Sequence, residues 1–330
     1  AGIDVGIDHV EVYVYAWGRR KLRHLVEKIR IDGPYNEPAT WAQVDAIIER
    51  CYLHPLGAVL PIRRIIVDRN KWPDVVDPWL AKQNPWIVIG QRGSSNFDHP
   101  IFKYTSRRER ASDISFGIPS SLRVLTSGVS LLKMELYGSI NLKQDGRGEA
   151  PVGTISLNAD TNEETCRQIV SERLEFHSVN GRRATPRWQP LPNTRHEGLD
   201  CTNYARVGAE IEGISRWSEA DFLREEKSMR EQAEEDAEWL KVEAHRRQSA
   251  GDERPVTLRD RYPNLVMPGD EDPILAIAEA AADETAAADQ APDEAPVAAV
   301  PVAAAPADRH EDPDYPGLRS SWPLDVLPRP

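Results

Sequence analysis

The sequence predicts an α/β protein in which a mixed sheet is flanked by helices and followed by a charged helix and a disordered acidic tail. Residues 3–17 alternate apolar and polar side chains, which is the period of a β-strand. Short apolar runs then alternate with amphipathic segments as far as residue 212, a pattern typical of strands and helices packed in layers. After residue 213 the chain becomes strongly charged and then rich in Ala, Pro, Asp and Glu.

The first fifty residues predict three strands and a helix. The Gly6-Ile7-Asp8 turn divides residues 3–17 into two strands, so this segment is expected to form a hairpin. Residues 25–31 form the third predicted strand. Residues 38–52 are expected to form a helix, because a 3.6-residue period places four apolar side chains on one face: Trp41, Val44, Ile47 and Ile48.

The same two periods alternate further along the chain. We predict strands over residues 62–68, 86–90 and 154–157, a basic hairpin over residues 175–191, and helices over residues 74–83, 162–174 and 196–212. Residues 122–142 are expected to form a strand and then a helix. Strands that alternate with helices favour a sheet that contains parallel strands.

Beyond Gly213 the sequence predicts an extension and a tail. Ser218 followed by Asp221 is a helix N-terminal signature, so a charged helix is expected to run to about residue 247. Its sparse apolar residues fit either a solvated spacer or a partner-binding helix. Residues 270–330 contain too few large apolar side chains to form a core, which predicts disorder. The expected domains are therefore residues 1–213, 214–269 and 270–330.

The net charge of −12 is concentrated in the tail. Residues 270–330 contain 14 acidic and 3 basic residues, which leaves a net charge of −1 for residues 1–269. Residues 1–213 contain 28 Lys and Arg against 26 Asp and Glu, and many of the basic residues are clustered, for example at residues 19–23, 107–110 and 182–187. Such clusters either bind phosphates or form an ordinary solvated surface.

Several classes of protein are disfavoured by the sequence. Three separated cysteines, Cys51, Cys166 and Cys201, do not form a disulfide framework or a thiolate zinc motif. No apolar run has the length of a membrane span, so no membrane association and a cytoplasmic location are expected. No glycine-rich phosphate loop ending in Lys-Ser or Lys-Thr is present, which predicts that this chain has no ATPase motif.

Three acids occupy positions that a ribonuclease H-like sheet would bring together: Asp4 in the first strand, Asp68 at the end of a central strand and Asp200 near the start of a late helix. Two metal ions about 4 Å apart can hydrolyse a phosphodiester, and Mg²⁺ or Mn²⁺ prefers carboxylate ligands. The alternative is that strand-end aspartates cap turns. Glu197 is either a further ligand or an ordinary acid at a helix N-terminus.

Three motifs occur in the order found in one known family. The segments AGIDVGIDHVEVYVYAWGRR, IRRIIVDRN and RHEGLDCTNYARVGA resemble, in turn, the opening strand, the second acidic strand and the closing Glu-x-x-Asp-Cys-x-x-Tyr-Ala helix of the nuclease domain of lambda-type phage terminase large subunits. The resemblance covers about residues 1–213. One departure is that Arg69 and Asn70 follow Asp68, where the family usually has small residues.

The resemblance implies an endonuclease that uses two Mg²⁺ or Mn²⁺ ions to cut concatemeric double-stranded phage DNA during genome packaging. It implies that Asp4, Asp68 and Asp200 are the metal ligands and that Glu197 is auxiliary. The implied partners are double-stranded DNA, the terminase small subunit and the portal protein, at the procapsid in the host cytoplasm. The packaging ATPase of the family is not predicted for this chain.

Two other interpretations remain open at this stage. A non-catalytic DNA-binding or portal-docking module on the same fold is suggested by Arg69 beside Asp68. A transposase or Holliday-junction resolvase would share the acids, but these proteins lack the closing motif around Asp200.

Overall fold

A mixed sheet lies at the centre of the chain in the computed structural model, which describes residues 1–105, 122–141, 150–158, 161–177 and 185–267. The strands in the described residues are β1 (Gly2–Val5), β2 (His9–Trp17), β3 (Arg23–Asp32), β4 (Cys51–Leu53), β5 (Val59–Pro61), β6 (Ile65–Asp68), β7 (Val88–Ser94), β8 (Phe102–Tyr104), β9 (Val124–Gly128), β10 (Ile155–Ser156), β11 (Glu172–His177), β12 (Thr185–Pro190) and β13 (Leu265–Val266). The helices there are α1 (Pro38–Ile48), α2 (Pro73–Leu80), α3 (Val129–Ile140), α4 (Glu163–Ile169), α5 (Glu197–Ile211), α6 (Glu219–Ser249) and α7 (Leu258–Arg261).

Eight of these strands form one sheet in the order β10-β3-β2-β1-β6-β7-β9-β8. Strands β1, β2 and β3 pair antiparallel, whereas β1, β6, β7 and β9 run parallel to one another. The carboxyl ends of these parallel strands therefore meet at a single edge of the sheet, which is the usual position of a site in an open α/β sheet. The α/β class and the mixed sheet predicted from the sequence are confirmed.

Helices cover both faces of the sheet. On one face α1 and α2 bury Trp41, Val44, Val76 and Trp79 against strand residues that include Ile3, Val12, Ile65 and Val67. On the other face α3 and α5 bury Leu132, Tyr204 and Val207 against Ile66, Ile89 and Leu125. Each fully buried Val, Leu or Ile side chain contributes about 1.5–3 kcal/mol relative to an exposed one. The sheet therefore lies between two apolar layers.

Helix α5 lies unusually close to β1. A Cβ atom at Gly2 would stand 2.0 Å from the backbone oxygen of Cys201 and 2.9 Å from the backbone nitrogen of Ala205, so only glycine permits this approach. Cys201 reinforces it by donating its Sγ hydrogen to the carbonyl of Glu11, at 3.3 Å. The close contact brings the first turn of α5 over the carboxyl end of β1.

Helix α6 begins with the predicted capping residues. The Asp221 carboxylate accepts hydrogen bonds from the backbone N–H and the hydroxyl of Ser218, at 2.7 and 2.6 Å. Near its start the helix forms ion pairs with arginines of the preceding elements, namely Arg19 with Glu219 and Glu226, and Arg63 with Glu225. The N-terminal half of α6 is therefore bound by ion pairs to Arg19 and Arg63 rather than surrounded by solvent.

Most predicted elements are confirmed, including the N-terminal hairpin, the strand and helix within residues 122–142, the pairing of β11 with β12, and α5. Two predicted helices are too long. The first ends at Ile48, because residues 51–53 pair with β5 and β13, and the second ends at Ile169, because β11 pairs with β12. Long-range pairing outweighed local helical periodicity in both segments.

The predicted disordered tail, residues 270–330, and the basic clusters at residues 107–110 and 182–183 lie outside the described residues. The predicted domain boundaries stay predictions. Among the helices that the structure describes, none combines the length and the apolar character needed to cross a membrane.

Candidate functional site

A row of polar side chains crosses the sheet beneath α5. Asp4 pairs with Glu11 across β1 and β2, and Glu11 pairs in turn with Arg30 on β3. On the other side of Asp4, strands β1 and β6 are paired up to Ile3 and Val67, so Asp68, the next residue of β6, is the neighbour of Asp4. Asp68 in turn pairs with Gln91 of β7. Neighbouring strands are about 4.8 Å apart, so adjacent side chains of this row are close neighbours. The members of the row, in order, are Arg30, Glu11, Asp4, Asp68 and Gln91.

Asp200 reaches this row from the first turn of α5. Its backbone N–H bonds to the carbonyl of His196, at 3.1 Å, which fixes the start of the helix. Burial raises the pKa of the Asp4 carboxyl well above its ordinary value, and the charges of Asp200 and Asp68 raise it further. The three predicted ligands therefore lie within electrostatic range of one another, although up to 196 residues separate them in the sequence.

Asp68 is the best anchored of the three. Its Oδ1 accepts the backbone N–H of Asn70 at 3.1 Å and the side-chain amide of Gln91 at 3.3 Å, and the Ser127 hydroxyl donates to Gln91 Oε1 at 2.6 Å. Burial raises the pKa of Asp68, while the Asn70 N–H acts in the opposite direction. Gln91 and Ser127 thus fix the orientation of the Asp68 carboxylate.

The Arg69 side chain lies on the opposite face of the sheet from the acidic cluster, although its backbone N–H and its charge still act to lower the pKa of Asp68. Its guanidinium is buried and forms a bidentate ion pair with Asp77 of α2, with Nε 2.7 Å from Oδ1. Because α2 covers the opposite face of the sheet, the arginine does not compete with a ligand of Asp68. The departure from the family pattern at Arg69 is accommodated by the ion pair of Arg69 with Asp77.

Glu197 has a different environment from the aspartates. Its Oε1 lies 3.2 Å from Arg195 Nη2 and 3.3 Å from His9 Nε2, and its Oε2 is buried without a hydrogen-bond partner within the described residues. Burial raises the pKa of Glu197, but its own backbone N–H and Arg195 outweigh that effect, so the net pKa is lowered. Glu197 is therefore a charged carboxylate held at the margin of the cluster, within range of Asp4.

The sequence reasoning missed a buried ion pair beside Asp200. Lys133 of α3 donates to Glu172 Oε2 at 2.6 Å, and both side chains are about nine-tenths buried. Burial raises the pKa of Asp200 to about 6, and the Lys133 charge works against this increase. No local signal marks Lys133, because its role depends on the packing of α3 against β11.

We expect Lys133→Met to destabilise the protein by about 3–5 kcal/mol, because it leaves the Glu172 carboxylate buried without its cation. Substituting both partners, as Lys133→Met with Glu172→Leu, should restore most of this loss, because no unpaired charge remains. Urea unfolding of the three proteins measures the effect. A single variant no less stable than the double variant would show that Glu172 finds another partner.

The carboxylates suit a hard divalent cation. Within the described residues neither the Asp4 nor the Asp200 carboxylate accepts a hydrogen bond or forms an ion pair, yet both are partly buried and repel each other. A cation that shares their oxygens would remove this repulsion. As the side chains stand, however, no three His, Cys, Asp or Glu residues of the described segments enclose a metal position. Ion binding would have to draw the aspartates together.

Known proteins match this chain over about two thirds of its length. Terminase large subunits of Escherichia phage lambda and Enterobacteria phage P21 are 27% and 25% identical to it over 221 residues, or 66% of this chain. Those residues represent 32% and 33% of the two relatives, so the chain spans about a third of their length. The solved nuclease domain of the large terminase g2p from bacteriophage SPP1, with bound Mn, aligns with a TM-score of 0.29 and 10% identity over 64% of this chain and 84% of that one.

The family comparison agrees with the three sequence motifs. Residues 1–248 match the family described as the endonuclease domain of the terminase large subunit gpA, a match that extends into α6. This range includes all four of the predicted site residues, Asp4, Asp68, Glu197 and Asp200. The chain therefore belongs to the family of gpA endonuclease domains of terminase large subunits.

Proposed function

We propose that this chain is a divalent-metal-dependent endonuclease with a ribonuclease H-like fold, which cleaves concatemeric double-stranded phage DNA during genome packaging. Family membership supports the nuclease activity. The metal dependence and the two-ion mechanism are inferred from the carboxylates of the site, and the DNA substrate is inferred from the family.

One observation carries the proposal. Asp4, Asp68 and Asp200 come from two parallel strands and a helix, and their carboxylates form one electrostatically coupled group at the carboxyl edge of the sheet. A group of like charges in a partly buried position is unfavourable in the free protein. Such an arrangement is typical of sites that bind metal ions and a phosphate substrate.

The proposed roles follow from the surroundings of each residue. Asp4, Asp68 and Asp200 would hold one or two Mg²⁺ or Mn²⁺ ions, with Glu197 auxiliary. When bound, these ions would supply an activated water and stabilise the leaving oxygen. Gln91 orients Asp68 from the neighbouring strand. Lys71 adds a positive charge within electrostatic range of Asp4 and Asp68, at a position where a phosphate could approach.

The partners are proposed on the family alone. Terminase small subunit, portal protein and a site of action at the procapsid in the host cytoplasm are consistent with a chain that matches about a third of two phage terminase large subunits.

The experiment is cleavage of a supercoiled plasmid by the purified chain with Mn²⁺, with Mg²⁺ or with EDTA. We expect nicked and linear products with either metal and none with EDTA. Uncut plasmid in all three conditions, with protein whose circular dichroism shows a folded α/β domain, would contradict the proposal.

The non-catalytic DNA-binding or portal-docking alternative is not favoured by the surroundings of Arg69. Its motivation was Arg69 beside Asp68, and Arg69 is instead committed to Asp77 on the opposite face. Calorimetry that detects DNA binding but no uptake of Mn²⁺ would favour this alternative over the nuclease.

A further inference from the structure

The Glu11 carboxylate occupies a buried position in which carrying a charge is energetically unfavourable. It is fully buried on β2, directly across from Asp4, and its Oε2 has no hydrogen-bond partner within the described residues. Its Oε1 accepts from Arg30 Nη1 at 3.3 Å and from Arg195 Nη2 at 3.2 Å. A buried carboxylate beside an acidic cluster is tolerated only because cations compensate it. Glu11 therefore serves to hold these two arginines.

Each arginine is buried at one end and open to solvent at the other. The Arg30 and Arg195 side chains are 32% and 41% exposed, whereas the Glu11 side chain is 1% exposed. Arg30 also binds Asp32 through Nε at 2.7 Å, and Arg195 binds Glu197 through Nε and Nη2. In the part of the chain that is described, none of these bonds uses Arg30 Nη2 or Arg195 Nη1. Both guanidiniums thus keep donors for a ligand.

The two arginines lie on the same edge of the sheet as the aspartates. Arg30 belongs to the polar row, two strands from Asp4, and Arg195 precedes His196, the N-cap of the helix that carries Asp200. A spacing of about 4.8 Å per strand places Arg30 about 10 Å from Asp4. A DNA strand whose scissile phosphate lies over the aspartates would extend in this direction, and its next phosphates would reach the arginines.

We propose that Arg30 and Arg195, held by Glu11, form a guanidinium pair that binds one phosphate of the DNA backbone next to the scissile phosphate. The planar guanidinium matches the oxygens of a phosphate, and two guanidiniums fixed by one buried carboxylate are already oriented for it. This inference rests on the proposed function for the direction of the DNA strand. It names a substrate contact at Arg30, outside the three sequence motifs, and at Arg195, the first residue of the third segment.

The test measures DNA binding without cleavage. Fluorescence anisotropy with a labelled duplex in EDTA gives Kd for the wild-type chain and for the variants Arg30→Gln and Arg195→Gln, at salt concentrations from about 50 to about 200 mM. We expect each variant to bind about tenfold more weakly. The slope of log K against log salt should decrease in each variant, by at most about 0.9, the value for one lost phosphate contact, because the remaining arginine still contacts the same phosphate. Arg195→Lys should restore the slope, because it restores the charge.

A matched control separates this contact from general electrostatics. Arg63 is also an ion-paired arginine of similar exposure, 45%, but it precedes β6 and so lies at the opposite edge of the sheet from Asp68. Arg63→Gln should leave Kd and the salt slope unchanged. Unchanged binding in Arg30→Gln and Arg195→Gln, or an equal loss in Arg63→Gln, would overturn the proposal.

The outcome is independent of the nuclease assay. A wild-type chain that cuts plasmid while both arginine variants bind DNA normally would leave the proposed function intact and reject the guanidinium pair. If the wild-type chain does not cut plasmid but both arginine variants bind DNA more weakly than it does, the guanidinium pair is retained as a phosphate site and the nuclease is rejected. No DNA binding by the wild-type chain at low salt would reject the pair.

Discussion

Asp68→Ala is expected to reduce metal-dependent DNA cleavage by on the order of 10³-fold or more, because a metal ligand contributes several kcal/mol of transition-state stabilisation. Asp68 is the proposed ligand that its neighbours orient most firmly, through Asn70 and Gln91. Plasmid cleavage with Mn²⁺, followed as initial rate, measures the effect.

The control for this variant is Asp74→Ala. Asp74 is an exposed acid in the first turn of α2, six residues after Asp68. Its substitution by Ala removes the same carboxylate outside the site, in the variant Asp74→Ala. It should cleave at the wild-type rate. Cleavage by folded Asp68→Ala at more than a tenth of the wild-type rate would remove Asp68 from the catalytic group.

The second large effect is a loss of stability as the metal-free protein is brought to neutral pH. Burial raises the pKa of Asp200 to about 6, from an ordinary value near 4 in the unfolded chain. The folded state therefore holds the proton more tightly, and the stability gained from this is present below about pH 4 and lost as the pH rises through 6. A difference of about two pH units corresponds to ~3 kcal/mol.

Asp200→Asn removes one titrating group and should weaken this dependence by the share that Asp200 contributes, while the raised pKa values of Asp4 and Asp68 maintain the rest. In EDTA at pH 8 the variant is expected to be more stable than the wild-type chain by up to ~3 kcal/mol, while it fails to cleave DNA. Guanidinium unfolding at several pH values in EDTA measures the difference. An Asp200→Asn protein that is less stable than wild type at pH 8 would show that the Asp200 carboxylate is stabilised in the free protein.

Local pattern was sufficient for the elements that carry the predicted ligands. Asp4 and Asp68 stand out because each is charged within an apolar strand, and Asp200 lies within an amphipathic helix whose apolar face is continuous. Periodicity alone identified β1, β2 and α5 for these reasons. It could not distinguish β11 from the end of a helix, because that choice was made by pairing with β12.

The missed residues depend on which strands are neighbours. Glu11 could have been found from the hairpin turn, since pairing Val5 with Val10 places Glu11 opposite Asp4. Arg30 required the register of β3 against β2, and the pairing of Lys133 with Glu172 required the packing of a helix against a distant strand. These are long-range facts, and no spacing within the sequence encodes them.

The central claim is that Asp4, Asp68 and Asp200 close around a metal ion, and Mn²⁺ titration followed by electron paramagnetic resonance tests it most directly. The signal of free Mn²⁺ should decrease as the wild-type chain binds the ion. Asp68→Asn and Asp200→Asn should each weaken this uptake by about tenfold or more, as loss of a ligand requires, while Asp74→Asn should not. Equal uptake by the wild-type chain and both site variants would contradict the claim.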